Sequence, residues 1–334
     1  MRLTNKTSEH IKRKMGSAFI YKIYKRRQLL DKVPYAMNIE ITTRCNLKCW
    51  MCPRPKHKNV KSGDIDFYLF KKTVDEMTHL LTKKTTFTPV GLGEPLFYNK
   101  LLEAIEYLKI KCPNVPIHID TNATLLDEEK SEMLCRLLCK NDRILFSLNA
   151  GSRNTYEWMM GVDKFDLVVS NIKNFLEIRE KIGKGPRVII QIMDTKKTAS
   201  EIEGFKNFWK YFIGPSDSIY VRPLLNWGGK IETKDICTQV KRKRYPCLSP
   251  WIAVVIDING NVYPCCEALS TRENGNLLLG NIQRNSLLEI YSQDKIRQIR
   301  ENMLNNQNSI SECSNCDFWS FYSNIWFNMK GRWR

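Results

Sequence analysis

Cys45, Cys49 and Cys52 fall in one short run, Cys45-Asn46-Leu47-Lys48-Cys49-Trp50-Met51-Cys52. Three thiols at this spacing constrain the chain to turn one tight loop around a metal-bearing group. Three thiolates can hold three irons of a 4Fe–4S cube and leave the fourth without a protein ligand, open to a chelating small molecule. The preceding residues, Ala36 to Thr42, alternate Ile39 and Ile41 with polar neighbours and predict a strand. The cysteines then lie at a strand's C-terminal end, where α/β barrels carry their chemistry. A structural zinc site is the simpler alternative. Such sites usually combine a short Cys-x-x-Cys with a second pair or with histidines, which this run lacks.

On these residues the chain resembles the radical S-adenosylmethionine (SAM) superfamily. The resemblance implies that SAM chelates the open iron through its amino and carboxylate groups. It also implies that one electron cleaves SAM to methionine and a 5′-deoxyadenosyl radical, which abstracts hydrogen from substrate. Further segments carry the likeness. Val90-Gly91-Leu92-Gly93-Glu94-Pro95 is similar to the family's Gly-Gly-Glu-Pro segment, with Leu92 in place of the first glycine. Gly93, Glu94 and Pro95 are thereby expected at the methionine end of SAM. Thr121-Asn122-Ala123 resembles the family's Thr-Asn-Gly segment after the third strand. Ser147 and Asn149, after a fourth strand over Ile144–Phe146, are implied as ribose or carboxylate contacts. Gln191 and Met193, on a strand over Val188–Met193, are weaker candidates for the same pocket. Met51 stands where the family often has an aromatic residue near adenine, and a thioether suits an aromatic ring. Ordinary loop capping is the alternative for these polar strand-end residues.

Cys247, Gly260, Cys265, Cys313 and Cys316 form a second constellation. Asp257-Ile258-Asn259-Gly260-Asn261-Val262-Tyr263 predicts a hairpin that returns Cys265 towards Cys247. A helix is expected over Ser286–Met303, delivering Cys313-Ser314-Asn315-Cys316 at its end. Four thiolates from three places can ligate a complete 4Fe–4S cluster. The arrangement resembles the twitch domain, a shortened relative of the SPASM domain; residues 317–334 contain no further cysteine. Two clusters are therefore expected. A zinc ribbon is the alternative for this half. Cys266 has three readings: the ligand in place of Cys265, a packed thiol, or a hydrogen-atom donor of the kind an epimerase needs. Cys112, Cys135, Cys139 and Cys237 are expected to pack, with Cys135 and Cys139 on one helix face.

Strand and helix patterns alternate six times, which argues for a parallel sheet. Helices are expected over Phe67–Leu81, Leu101–Lys109, Asp127–Cys139, Phe165–Ile182 and Ile202–Phe212, and further strands over Pro116–Asp120 and Ile219–Arg222. With the resemblance, the expected fold is α/β: a partial (β/α)6 TIM-like barrel with a small C-terminal twitch-type iron–sulfur domain. The divisions are a basic amphipathic extension over 1–34, the barrel over 35–235, and an auxiliary-cluster domain with an aromatic tail over 236–334. The chain has twelve cysteines. With neither a signal peptide nor a long apolar run, they point to metal binding in a reducing cytoplasm. Formal net charge is +18, which favours anionic partners. Nine of the basic residues lie in residues 1–30. That segment suits packing on the barrel, or peripheral contact with the inner membrane surface.

The expected activity is radical SAM oxidation or epimerisation of a small polar metabolite: a sugar, an aminocyclitol or a nucleotide-linked compound. A one-electron donor such as flavodoxin or ferredoxin would serve it. Arg222 is a candidate to bind an anionic group or orient an alcohol, with a structural ion pair as its alternative. A peptide or protein maturase is the second reading. A non-enzymatic metal-stabilised nucleic-acid-binding protein is the third, and the SAM-site residues speak against it.

Overall fold

The computed structural model describes residue 34 and residues 36–56, 62–82, 85–234, 236–237, 244, 246–305 and 309–322. The basic extension over 1–34, except Pro34, lies outside them, as do Lys241, Arg242, Lys243 and the aromatic tail beyond Tyr322.

The first six strands are β1 (Ala36–Ile39), β2 (Thr86–Thr88), β3 (His118–Thr121), β4 (Arg143–Asn149), β5 (Arg187–Asp194) and β6 (Ser218–Pro223), each with at least one β-branched residue. Helices alternate with them: α1 (Phe67–Thr78), α2 (Leu101–Lys111), α3 (Glu128–Leu137), α4 (Arg153–Met160), α5 (Phe165–Ile182) and α6 (Ile202–Lys210). Local chemistry sets their ends. Asp66 and Asp127 cap α1 and α3 by accepting from the Leu69 and Lys130 amides. Gly183, at φ 71°, ends α5 in the left-handed conformation.

The strands β3-β4-β5-β6 form one parallel sheet, and β2-β1 lead a second. A parallel bridge, Phe87 to Ile117, joins the two. The six strands thus follow one another in chain order around a single open arc. Side chains alternate across it. Ile144, Phe146, Val188, Ile190 and Ile192 point to the helices and are fully buried; each stabilises the fold by about 1.5–3 kcal/mol. Phe146 meets Phe175 of α5 edge-on at 5.4 Å. The opposite, concave face is polar, carrying His118, Asp120, Arg143, Ser147, Gln191 and Arg222.

The C-terminal third adds β7 (Ala253–Ile256), β8 (Asn261–Tyr263) and β9 (Gly280–Asn281). The predicted hairpin forms between β7 and β8: Asp257 accepts from the Asn259 and Asn261 amides, and Gly260 takes φ 79°. β7 pairs in parallel with β1, from Ala36–Ala253 to Ile39–Ile256. The edge of β1 away from β2 is therefore filled by the C-terminal module.

Two expectations are corrected, and one helix is added. The single helix over Ser286–Met303 is two, Leu287–Ser292 and Asp294–Asn305, parted at Gln293 with ψ 160°. The five-residue step from Tyr291 to Ile296 breaks helical spacing, so one straight helix cannot bury both. Cys139 does not share a helix face with Cys135. The Asp142 carboxylate draws the Cys139 and Ile117 amides together, so α3 stops at Leu137; Cys135 is buried and Cys139 exposed. Helix α4 is additional. Its signals are the Ser152 cap, paired reciprocally with Thr155, and Gly161 at the C-terminal end. Among the described residues no helix is long and apolar enough to cross a membrane.

Candidate active site

Cys45, Cys49 and Cys52 occupy the loop leaving β1, all partly buried and none in a disulfide. The Cys52 amide donates to the Cys49 carbonyl at 3.1 Å, and Arg54 anchors the Leu47 carbonyl. Burial pushes the Cys49 and Cys52 thiols up to about 12 and about 11, and each feels the charge of its neighbours. Burial also raises Cys45. Thiolates so placed need a cationic partner, and an iron–sulfur core is one. Among the described residues no three His, Cys, Asp or Glu side chains converge as ligands of one bare ion. Met51 is half-buried against the core beside this loop.

The Gly93-Glu94-Pro95 segment packs directly on the cysteine loop. The Glu94 amide donates to the Arg44 carbonyl at 2.8 Å. Its carboxylate, 3% exposed, accepts from Thr121 Oγ1 at 2.6 Å, the Asn122 amide at 2.8 Å and the Leu96 amide at 3.1 Å. Burial drives this carboxyl up to about 7 against those bonds. Asn122 Nδ2 lies 3.9 Å from Cys45 Sγ and donates to Asn46 at 3.1 Å. One clasp thus ties together three loops: the thiols, Glu94 and the end of β3. Ala123 holds φ 59°, where a glycine would sit without strain.

The approach at Gly93 leaves no room for a side chain. A Cβ there would stand 2.2 Å from the Thr42 carbonyl oxygen and 2.8 Å from that of Arg44. Both obstacles are backbone, so no rotamer relieves them. Gly93→Ala is expected to cost about 3 kcal/mol of stability and to abolish measurable SAM binding in equilibrium dialysis. A variant that binds SAM normally would show that the loops part freely.

On the concave face a polar chain runs from β6 to the thiols. Arg222 reaches Gln191 Oε1 at 3.4 Å, and Gln191 Nε2 donates to Asn149 Oδ1 at 2.7 Å. Asn149 Nδ2 meets Met160 Sδ at 3.5 Å, which lies 3.8 Å from Cys49 Sγ. Asn149 takes φ 66° where the β4–β5 register slips, turning its side chain into this row. Ser147 is half-buried on the same face, and its hydroxyl joins no hydrogen bond among the described residues. Asp120, also there, has a buried Oδ1 without a partner. Burial raises its carboxyl, while Arg143 and Arg222 draw it back down.

The second thiol set surrounds a cavity lined by Cys247, Cys265, Cys313 and Cys316, with Glu267 among its walls. Burial pushes Cys265 well up, and the charges of Cys266, Cys313, Cys247 and Cys316 add to it. Burial takes Cys313 to about 12. Arg244 holds the Cys313 and Ser314 carbonyls, and Asn226 binds the Asn315 carbonyl at 2.6 Å. Four thiols around shared space fit a cluster of several atoms. Cys266 is absent from that lining, though it neighbours Cys265; after burial it feels Glu267, Arg222 and Cys247. Arg222 is thus the link between the concave face and the C-terminal module.

The sequence reading missed Asp120, Tyr156 and Glu267. Asp120 and Glu267 each carry a buried carboxylate oxygen without a partner, and Tyr156 an unpartnered buried hydroxyl. Period-two alternation from His118 was the available signal for Asp120. Helix α4, once recognised from its caps, would have exposed Tyr156.

The radical SAM superfamily matches residues 39–202, and the SPASM iron–sulfur cluster-binding domain matches residues 247–317. The chain is 24% identical over 321 residues to the tungsten-containing aldehyde ferredoxin oxidoreductase cofactor-modifying protein of Pyrococcus furiosus, covering 84% of this chain and 88% of that protein. It is 22% identical over 294 residues to the S-adenosyl-L-methionine-dependent 2-deoxy-scyllo-inosamine dehydrogenase of Niallia circulans, covering 86% and 94%. Its fold is similar to Streptococcus suis SuiB bound to the precursor peptide SuiA. The TM-score is 0.63 at 17% identity, over 90% of this chain and 73% of that one.

Proposed function

The chain belongs to the radical SAM superfamily and carries a SPASM domain after its barrel, and from that premise we propose that it oxidises or epimerises a carbinol carbon of a small polyhydroxylated metabolite. Cys45, Cys49 and Cys52 would hold a catalytic 4Fe–4S cluster, and Cys247, Cys265, Cys313 and Cys316 an auxiliary one. When bound, the clusters and SAM supply one-electron cleavage and removal of a substrate hydrogen atom. The chain's own part is to position substrate and exclude water.

Asp120 carries this reading. Its Oδ1 is buried without a partner on the concave face that Arg222 shares. A buried acceptor of this kind is costly unless something donates to it. A substrate hydroxyl donates to Asp120 Oδ1. Arg222, engaged among the described residues by one long bond to Gln191, donates to a neighbouring substrate oxygen. Glu94, Asn122 and Asn149 keep the loops around SAM in place. The similarity to a dehydrogenase supports the oxidative form. Cys266, near Arg222, is the thiol that would return hydrogen in the epimerising form. A flavodoxin- or ferredoxin-type donor in the cytoplasm completes the reading.

The test is anaerobic incubation with SAM, reductant and a panel of sugars, aminocyclitols and nucleotide-linked sugars deuterated at their carbinol carbons. Deuterium is expected in 5′-deoxyadenosine for one class. A ketone product marks oxidation, and one solvent hydrogen at carbon marks epimerisation. Asp120→Asn is expected to lower kcat/KM about 10- to 100-fold, as loss of a charged hydrogen bond does. Deuterium transfer only from labelled peptides would replace this reading with a maturase.

A further inference from the structure

We infer that the Tyr156 hydroxyl donates a hydrogen bond to the sulfur shell of the catalytic cluster and raises its reduction potential. This rests on Cys49 being one of that cluster's ligands. Tyr156 is fully buried, and its hydroxyl has no partner. After burial itself, the influence on this hydroxyl is the Cys49 thiol. Tyr156 lies one turn before Met160, which stands against Cys49, and a buried donor there with no protein acceptor is completed by a thiolate or sulfide acceptor.

Helix α4 is held over the cysteine loop at several points, so the hydroxyl is presented rigidly. Met160 Sδ lies 3.8 Å from Cys49 Sγ, and the rings of Trp158 and Trp50 stand 4.9 Å apart. Gly161, at φ 75°, passes so close that a Cβ would sit 3.3 Å from the Lys48 carbonyl oxygen. At the other end Glu201 accepts from Ser152 Oγ at 2.6 Å, Thr155 Oγ1 at 2.7 Å and the Gly151 amide at 2.9 Å. Phe165 meets the Tyr156 ring edge-on at 5.8 Å and fixes its rotation. A hydrogen bond to a ligating sulfur withdraws electron density and favours the reduced, more negative cluster. Tyr156 is therefore a tuning residue, one step removed from the reacting atoms.

The experiment is an EPR-monitored redox titration of the anaerobically loaded full chain, reading the signal that SAM perturbs. Tyr156→Phe keeps the ring and removes the donor. Its midpoint is expected to be more negative, with iron per chain and the SAM-insensitive signal unchanged. Replacing Tyr156 by 3-fluorotyrosine gives a stronger donor of nearly the same shape, and the midpoint is expected to move the opposite way. Midpoints unmoved in both variants, or moved in the same direction, would overturn the inference. If the phenylalanine variant fails to load, the fluorotyrosine protein decides alone. If no signal responds to SAM in the unaltered chain, the assignment of Cys49 falls, and this inference falls with it.

Discussion

A Cys45→Ala/Cys49→Ala/Cys52→Ala variant, reconstituted anaerobically with iron and sulfide, is expected to form no 5′-deoxyadenosine from SAM and to retain about four irons per chain. The unaltered chain is expected to hold about eight. The two numbers separate because the thiol sets stand on different supports. The first set hangs from β1 and the Glu94 clasp. The second is held by Arg244, Asn226 and the hairpin of β7 and β8. Alanine at three partly buried positions removes thiols whose charge the surroundings resist, so the apo-loop itself is not expected to collapse. Iron analysis with product quantitation makes the check. Loss of all iron would mean that the second set cannot assemble without the first. Zinc in place of iron would reduce both sets to structural metal sites.

Arg272→Ala is expected to cost about 3–5 kcal/mol of stability, the range for removing one partner of a buried ion pair. Arg272 grips Glu40 with both terminal nitrogens, at 2.9 and 3.0 Å, and lies 3.8 Å from Asp257. The Glu40 side chain is fully buried and that of Arg272 is 11% exposed, so solvent screening gives little relief. The same carboxylate accepts from the Leu92 amide at 3.1 Å, beside the Gly93-Glu94 segment. The guanidinium thus neutralises a charge on which barrel strand, the Gly93-Glu94 loop and C-terminal module all meet. Removing it leaves Glu40 uncompensated. Glu40→Gln in the same chain should recover part of the loss. Denaturant midpoints on the loaded protein measure both, and a cost below about 1 kcal/mol would show that water reaches the pair.

Much of this centre was legible because its chemistry is local in the chain. The spacing of Cys45, Cys49 and Cys52 is covalent, and the strand before them announces itself by alternation. The Asn-Gly turn at Gly260 specifies its hairpin directly. Helix α5 was expected over the residues where it forms, because its apolar stripe is continuous and a glycine ends it. What stayed hidden depends on partners distant in sequence. Nothing near Glu40 signals that Arg272 will neutralise it. Asp120 reads as one more polar residue on an alternating strand until Arg143 and Arg222 are brought alongside. Leu92, a departure from the family's glycine, is harmless because its side chain is buried while its amide binds Glu40.

The pairing of β7 with β1 also bears on how the molecule is made. On a ribosome, the strand that fills the second edge of β1 arrives about two hundred residues after it. Loop closure over such a span is slow, and contacts of this range dominate folding times. Through most of synthesis the first cysteine loop would hang from a strand with one exposed edge, open to misplaced metal and to edge pairing with other chains. Iron delivery that waits for β7 would avoid both, making a strand far downstream the gatekeeper of the first cysteine loop.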